Sequence, residues 1–421
     1  MNAFLALGLI LSLAFGSAVT EAQVTLPASG SRLHYRGKEI FLSGANLAWI
    51  HYAHDFGNQG PGDRQAFAAF FKDLRANGAN CARIWVHTDG SGSPQFDAQG
   101  MVTGLGPDGR FLDDMQAVLD SAQAHGILVL FSIWSERMKN AHQDLVTDTA
   151  RTRAYIDKAL IPMVKRFQVH PALVAWEVLN EPEGMTQAWG WKDANVQVDN
   201  RIPVPQIQAF INRLAGAIRR NAPEKLITAG SWGFFGQTDI ALTGEGATWW
   251  PGPNLNLYTN ARLLAAGGDP AGYLDFYQVH FYDQSFPIIL SPFHNPYAHW
   301  QLDKPLLIGE FPSFGLKYRE PKMTSEQAFE AAYQGGYAGA LTWQYNQADS
   351  SYTGWWGQAR AGARALRDLH PRQIDPDSFA APTVGLHKRG PGNLGCKAYG
   401  TGDEFRMDGR MLEERSKAHA P

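Results

Sequence analysis

Short runs of apolar and β-branched residues recur along the chain, and most are separated by longer segments in which apolar residues repeat with the period of a helix. The runs begin at residues 39, 79, 126, 173, 226, 274, 305 and 339. Eight strands that alternate with helices are the number that closes a parallel barrel. We therefore predict an α/β fold, an eight-stranded parallel βα (TIM) barrel. A doubly wound open sheet is the alternative, but no glycine-rich phosphate turn follows the first run.

Two of the segments between the runs carry helix capping signals. The segment 63–78 opens with Asp63 and closes with Gly78, residue types that begin and end helices. In the segment 324–336, Thr324 and Gln327 have the spacing of a capping box. We expect both segments to form helices that cover the outside of the barrel.

The two ends of the chain differ in character from the barrel pattern. An apolar run from Phe4 to Phe15 is followed by small residues, which predicts a signal peptide over 1–22 and a secreted, extracellular protein, although no Lys or Arg precedes the run. The run is too short to span a membrane. A single barrel domain is predicted over 25–371. Residues 372–421 are rich in Pro, Gly and charge, which predicts a loosely ordered C-terminal extension.

Composition narrows the classes of partner. The 421 residues are 44% hydrophobic, enough for one large core, and the net charge of -3 comes without a basic stripe. We therefore expect neither nucleic acid nor a membrane as a partner. We also expect the protein to be a monomer. The 13 tryptophans suit both a core and the stacking of sugar rings. Only Cys81 and Cys396 are present, so one disulfide at most can form, and Cys81 lies in an apolar run typical of a buried free thiol.

Two of the predicted strands end in a glutamate. The fourth ends in Asn180, Glu181 and Pro182, and the seventh ends in Glu310. The C-terminal ends of barrel strands converge on one mouth, where such carboxylates can approach each other. Glycoside hydrolysis commonly needs two carboxyl groups, one as acid and one as nucleophile or base, and a separation of about 5 Å gives retention whereas a wider one gives inversion. Spacing alone leaves open which glutamate has which role.

These features resemble glycoside hydrolase family 5. The resemblance covers roughly residues 25–371, and within the family the segments 41–57 and 229–236 are similar to secreted endo-β-1,4-mannanases of molluscs and other invertebrates. It rests on the paired glutamates at strand ends together with the surrounding side chains Arg83, Asn180, Pro182, His280, Tyr282 and Trp343.

The resemblance implies a retaining double displacement with Glu181 as acid/base and Glu310 as nucleophile. It implies that Asn180 binds the sugar 2-hydroxyl, and that Arg83 and Tyr282 lie beside the nucleophile and keep it charged and oriented.

Further binding residues are expected around this pair. His280 lies two residues before Tyr282, so both side chains face the same side of their strand. The resemblance implies that Trp343 is the sugar platform at the point of cleavage. Other tryptophans near strand ends are candidates for further sugar subsites, namely Trp49, Trp85, Trp134 and Trp232.

The chain departs from the family at the end of the third strand. Many members carry a histidine there, whereas this chain has Trp134, so that role is lost or supplied by another residue such as His87. Two other glutamates are not expected to be catalytic. Glu177 lies inside the fourth strand and is expected to pair with an interior cation, and Glu136 is expected on a loop.

The implied function is that of a mannan endo-1,4-β-mannosidase, which hydrolyses internal bonds of mannan, glucomannan and galactomannan. The alternatives are an endo-β-1,4-glucanase of the same fold and mechanism, and a mannan-binding protein without catalysis. No metal or cofactor is expected, because the chain has no His-Glu-x-x-His, no Cys-x-x-Cys and no phosphate loop.

Overall fold

The structure is a computed structural model of the 421-residue chain. It describes residues 24–26, 30–57, 61–106, 108–186, 189–190, 192–193, 198–199, 201–241, 254–346 and 353–375. The predicted signal peptide over 1–22, Cys396 and most of the predicted C-terminal extension lie outside these residues.

Eight parallel strands form a closed barrel, as the pattern predicts. Each pairs in parallel with the next in chain order, and the eighth pairs with the first. The strands are β1 (Leu42–Asn46), β2 (Cys81–Thr88), β3 (Leu128–Ser135), β4 (Leu173–Asn180), β5 (Leu226–Ser231), β6 (Tyr277–His280), β7 (Leu306–Pro312) and β8 (Gly339–Trp343).

Helices surround the barrel. The α-helices of the described residues are Pro61–Ala76, Arg110–Ala124, Asn140–Thr147, Thr149–Tyr155, Ile161–Phe167, Val204–Asn221, Asn260–Gly267, Ser325–Gln334, Trp356–Leu369 and Pro371–Ile374, with a π-helical turn at Ile156–Leu160. Residues 281–305, between β6 and β7, contain only the short 3-10 turns Ile288–Leu290 and Tyr297–Trp300. The other 3-10 turns lie at Pro182–Met185 and Phe234–Gly236, directly after β4 and β5.

A small antiparallel sheet precedes the barrel. Its strands are Val24–Thr25, Leu33–Tyr35 and Lys38–Ile40. The first predicted run is therefore divided between two sheets, because Lys38–Ile40 pairs back on Leu33–Tyr35 before β1 begins. Apolar side chains of this sheet form one buried cluster with residues from the N-terminal halves of the barrel strands, so the sheet covers the end of the barrel opposite the mouth.

The two capping predictions had different outcomes. Thr324 accepts a hydrogen bond from the Gln327 amide while Gln327 accepts one from the Thr324 amide, so the capping box is confirmed. The helix predicted to open at Asp63 instead begins at Pro61, which places Asp63 in its first turn. Proline suits that position because its fixed φ is helical and it lacks only a donor that the first turn would leave unpaired.

The C-terminal end of the described fold extends beyond the predicted domain boundary at 371. Ile374 is buried, and its carbonyl accepts a hydrogen bond of 2.8 Å from Asn80. Residues 371–375 therefore belong to the packed domain. Cys81 is a buried free thiol, as predicted. Among the described residues there is no helix with the length and apolar character needed to cross a membrane.

Candidate active site

Glu181 lies at the mouth, directly after the fourth strand, in a strained backbone conformation. Glu181 directly follows β4 and adopts a left-handed conformation with φ 42°. Its amide donates to the Gly230 carbonyl of β5 at 2.6 Å, and its own carbonyl accepts from Gly184 at 2.9 Å. A non-glycine residue in this region costs about 1–3 kcal/mol and needs such support. The turn removes Glu181 from the strand alternation and aims it over the barrel axis.

Glu310 reaches the same mouth from the seventh strand. It is the register partner of His280, and the pairing of β6 with β7 is irregular between Val279 and His280. Another irregularity separates Ile308 from Phe311 in the pairing with β8. Such irregularities change which way a side chain points. Glu310 is thereby placed close to the other glutamate at the strand end.

The two predicted catalytic glutamates meet at His280. One carboxylate oxygen of Glu181, one of Glu310 and a ring nitrogen of His280 lie within 4.8 Å of one another. His280 Nδ1 is 2.8 Å from Glu181 Oε1 and 3.6 Å from Glu310 Oε2. Glu181 is 8% exposed and Glu310 is 4% exposed, so the pair can be reached from solvent without being surrounded by it.

Glu310 is held by a cation and a phenol. Arg83 Nη1 donates to Oε1 at 2.8 Å, and the Tyr282 hydroxyl donates to Oε2 at 2.6 Å. Burial raises the pKa of the Glu310 carboxyl, whereas His280, Arg83 and the Tyr282 bond act to lower that pKa. Both oxygens face donors, which is the environment of a carboxylate that must be ionised to react.

Arg83 connects two of the predicted site residues, Glu310 and Asn180, with the interior of the barrel. Its Nε and Nη2 donate to the two oxygens of Glu177 at 2.6 Å each, which confirms that Glu177 pairs with an interior cation. Its Nη2 also donates to Asn180 Oδ1 at 2.5 Å, and its Nη1 to Asn46 Oδ1 at 2.8 Å. The guanidinium is fully buried and has a fixed fork of donors, so these contacts leave it one orientation.

His280 is neutral at neutral pH. Burial lowers the pKa of its ring to about 4. Its Nε2 faces the amide nitrogen of Gln278 at 3.5 Å, which is a donor. Nδ1 therefore carries the proton and donates to Glu181, an assignment that follows from the partners.

Aromatic rings form a wall beside Glu310. Trp343 lies 5.7 Å from Trp85 and 6.1 Å from Trp49 between ring centroids, and Tyr282 packs against the same cluster. Trp49 is partly exposed, whereas Trp85 and Trp343 are each 3% exposed. Tyr282, which donates to Glu310, thus connects this cluster with that carboxylate, and the role of Trp343 as a sugar platform stays a prediction.

Trp232 lies on a second aromatic surface. It follows β5, is half-buried and packs edge-on against Phe235 at 6.0 Å and Phe286 at 6.1 Å. The backbone amide of Trp232 donates to Glu183 Oε2 at 2.9 Å, and the Tyr258 hydroxyl donates to Glu183 Oε1 at 2.6 Å. A buried carboxylate that the sequence analysis missed therefore fixes the turn that carries Trp232.

The structure corrects two predicted binding residues. His87 and Trp134 are 0% and 1% exposed, and their rings pack 4.8 Å apart. His87 also packs against Phe111 and Tyr155, which belong to surrounding helices, and burial lowers the pKa of its ring to about 3. Both side chains belong to the layer between strands and helices, and neither is exposed at the mouth.

Glu136 was expected on a loop, and it does follow β3 directly, yet it is only 4% exposed. Its Oε2 accepts hydrogen bonds from Asn180 Nδ2 and Ser135 Oγ, each at 2.7 Å. The signal that could have found it is the same strand-end position that singled out Glu181 and Glu310.

Glu181, His280 and Glu310 are close enough to share a metal ion. However, Glu310 is already bonded to the guanidinium of Arg83, whose positive charge opposes a second cation at that carboxylate. The arrangement accounts for two carboxyl groups in different environments without a metal, and the absence of a metal or cofactor stays a prediction.

Comparison with known sequences gives consistent matches. Residues 36–355, which include both glutamates, match the family described as Cellulase (glycosyl hydrolase family 5). A mannan endo-1,4-beta-mannosidase of Mytilus edulis is 37% identical over 354 residues, covering 80% of this chain and 92% of that protein. A mannan endo-1,4-beta-mannosidase of Cryptopygus antarcticus is 35% identical, covering 76% of this chain and 84% of that protein.

Comparison with solved structures gives matches to the same kind of protein. The X-ray structure of beta-mannanase from the blue mussel Mytilus edulis superposes with a TM-score of 0.71 at 33% identity, covering 84% of this chain and 99% of that one. The beta-1,4-mannanase from the sea hare Aplysia kurodai gives a TM-score of 0.70 at 31% identity, with coverage of 83% and 98%.

Proposed function

Because the chain belongs to glycosyl hydrolase family 5, we propose that it is a secreted endo-β-1,4-mannanase that hydrolyses internal bonds of mannan, glucomannan and galactomannan with retention of configuration. The observation that carries the proposal is the approach of Glu181 and Glu310. One carboxylate oxygen of Glu181 lies within 4.8 Å of one carboxylate oxygen of Glu310. Retaining glycosidases place their carboxyl groups about 5 Å apart, whereas inverting ones leave room for a water between them.

In the first step, a carboxylate oxygen of Glu310 attacks the anomeric carbon of the sugar at the point of cleavage. The bond from that carbon to the bridging oxygen breaks, and the bridging oxygen takes the proton of Glu181. The departing chain leaves as an alcohol, and the remaining sugar is bound to Glu310 as an ester.

In the second step, Glu181 acts as the base. A water molecule gives a proton to the Glu181 carboxylate and attacks the same anomeric carbon, and the ester bond to Glu310 breaks. The carboxylate of Glu310 and the acid form of Glu181 are restored. Two inversions at one carbon give net retention.

The surrounding groups support these different roles. Arg83 and Tyr282 donate to the two oxygens of Glu310, so they stabilise its charged form and hold it in line for attack. His280, neutral and donating from Nδ1, orients Glu181 without adding a charge. Asn180 lies next to the acid/base and would bind the sugar 2-hydroxyl, a contact that strengthens in the transition state.

The substrate class follows from the relatives and the aromatic wall. Proteins at 35% and 37% identity are mannan endo-1,4-beta-mannosidases, and four neighbouring structures are mannanases of invertebrates. Trp49 and Trp343 belong to one cluster with Tyr282, which donates to Glu310, and flat apolar sugar faces can stack on such rings. Secretion is supported by the apolar run from Phe4 to Phe15 with the small residues that follow it.

The test is the release of reducing ends from galactomannan, glucomannan and carboxymethylcellulose by wild type and by the Glu181→Gln and Glu310→Gln variants. We expect wild type to cleave both mannans, and both variants to lose that activity. Proton NMR of the first products should show the β-anomer before it equilibrates. A preference for carboxymethylcellulose would replace mannan by glucan as the substrate, and mannan binding without cleavage would leave a binding protein.

A further inference from the structure

A third carboxylate at the mouth has no part in the two steps described above. Glu136 follows β3 directly, and its amide donates to the Asn180 carbonyl at 3.1 Å. Ser135, the last residue of β3, is the register partner of Asn180. Glu136 is therefore attached through the backbone to the residue that precedes the acid/base.

The side chain of Glu136 contacts the same residue. Its Oε2 accepts from Asn180 Nδ2 at 2.7 Å, while Asn180 Oδ1 accepts from Arg83 Nη2 at 2.5 Å. A carboxylate only accepts and a guanidinium only donates, so the two ends of the amide cannot exchange. One bond alone would let the amide turn about it. Two bonds at opposite ends fix its plane.

We propose that Glu136 is a positioning residue, which holds the amide of Asn180 so that its second N–H is directed at the 2-hydroxyl of the sugar being cleaved. The inference rests on the proposed function, because it assigns a further residue to the same reaction. Glu136 itself does not contact the reacting atoms.

The chemistry of the amide explains why a carboxylate is suited to this position. The amino group of Asn180 has two hydrogens, and one is given to Glu136. An ionised acceptor on one N–H polarises the whole amide, and hydrogen bonds in such chains strengthen one another. Glu136, Asn180, Arg83 and Glu310 form a continuous chain of hydrogen bonds across the mouth. The contact with the 2-hydroxyl is thus tied to the position of the nucleophile.

The experiment compares wild type with Glu136→Ala and Glu136→Gln on two substrates. One is a 4-nitrophenyl β-mannotrioside, and the other is its analogue without the 2-hydroxyl on the sugar that carries the nitrophenol. Loss of one hydrogen bond to a charged group predicts that kcat/KM of Glu136→Ala falls about 10- to 100-fold on the first substrate. On the analogue, the ratio of wild type to variant should be close to one, because the hydroxyl is missing from both.

Two further variants separate positioning from folding. Glu136→Gln keeps an oxygen that can accept from Asn180, so it should recover a large part of the activity that Glu136→Ala loses. The double variant Glu136→Ala with Asn180→Ala should be no worse than Asn180→Ala alone, since residues that act through one contact are not additive. Ser135→Ala removes the hydroxyl that also donates to Glu136, and it is the control for the loop.

The proposal would be overturned if Glu136→Ala lowered turnover of both substrates by the same factor, or if its losses and those of Asn180→Ala multiplied. The proposal would also be overturned if Glu136→Ala lowered Tm enough to explain its lost activity, while Ser135→Ala did not lower Tm. Mannose and glucose differ only at the 2-hydroxyl, so the sugar that carries the nitrophenol is identical in the mannose and glucose forms of the analogue. A protein that turned out to be a glucanase would therefore still test Glu136, using the matching cellotrioside.

An activity-independent measurement completes the test. In protein labelled with 15N-asparagine, the side-chain amide signal of Asn180 should move in Glu136→Ala, while that of Asn212 stays in place. Asn212 Nδ2 donates to the carbonyls of Asp269 and Gly272, which are not part of the chain from Glu136 to Glu310. If wild type cleaved no glycan at all, the proposed function would fail, and an unmoved Asn180 signal would separately refute the role of Glu136.

Discussion

Arg83 donates from Nε and Nη2 to both oxygens of Glu177 at 2.6 Å inside the barrel, and from Nη1 to Glu310. The bonds to Glu177 hold the guanidinium in the orientation that reaches Glu310. Both members of the pair of Arg83 and Glu177 are fully buried. The pair therefore connects the packing of the barrel interior with the orientation of the nucleophile. The two carboxylate partners of Arg83 should respond differently to neutralisation, because Glu177 is fixed in the core and Glu310 faces the mouth.

Glu177→Gln should destabilise the fold and weaken catalysis together. Removing one member of a buried ion pair costs about 3–5 kcal/mol, and the freed guanidinium also loses its fixed direction. We expect the free energy of unfolding from urea titration to fall by about 3 kcal/mol. An unchanged unfolding midpoint would show that Arg83 does not depend on Glu177.

Glu310→Gln should abolish activity without loss of stability at pH 7. Burial raises the pKa of Glu310 in the folded protein, so the folded state binds the proton more tightly than the unfolded one. The ionised group destabilises the fold as pH rises from the unfolded value through the folded one. Neutral glutamine removes that effect, and Tm at pH 7 should equal or exceed that of wild type. A lower Tm would contradict this sign.

Glu310→Ala should lower turnover by about a thousandfold or more, since it removes the nucleophile. Azide or formate should restore part of the activity by acting as a small external nucleophile. Glu224→Ala is the matched control, because Glu224 is an exposed glutamate before β5, at the end of the barrel away from the mouth. Failure of both anions to restore any turnover would argue against Glu310 as the nucleophile.

Glu181→Ala should spare the first step for substrates with good leaving groups. Nitrophenolate departs without a proton, so the initial burst of nitrophenol should persist while turnover of galactomannan is lost. Stopped-flow absorbance measures the burst, and reducing-end release measures the polymer. Equal losses on both substrates would contradict the acid/base role.

Tyr282→Phe should move the acid limb of the pH profile. Ionised Glu310 is required, so kcat/KM falls as pH drops through its pKa, which burial raises above the usual 4.5. The Tyr282 bond lowers that pKa, against the like charge of Glu181 and together with His280 and Arg83. Its loss should shift the acid limb to higher pH and reduce kcat about tenfold. An acid limb that stays in place would show that another group controls it.

Trp134→Ala should mainly lower stability, whereas Trp49→Ala should mainly weaken substrate binding. Trp134 is fully buried between strands and helices, so its truncation should cost about 3–5 kcal/mol of stability with KM unchanged. Trp49 is partly exposed beside Trp343, and its loss should raise KM for mannan about 3- to 10-fold with a smaller effect on Tm. The reverse result would restore Trp134 as a binding residue.

The positions of Glu181 and Glu310 could be predicted because each follows an apolar run that has to be a core strand. Eight such runs determine a closed parallel barrel, and in that fold every strand ends at the same mouth. The ends of β4 and β7 therefore had to face one another, whatever the loops do. Period-two alternation likewise placed His280 and Tyr282 on the same side of their strand.

The tertiary structure decided which neighbours complete the site. Simple alternation along β2 would put His87 on the same face as Arg83 and Trp85, but the register of β2 with β3 shifts between Trp85 and Thr88. His87 is thereby turned outward into the helical layer. Glu136, at the end of the adjacent strand, contacts Asn180. A register shift depends on hydrogen bonds between strands distant in sequence, so spacing within one strand does not reveal it. The sequence alone determined the barrel and its two glutamates, whereas packing between strands determined the hydrogen bonds that hold them.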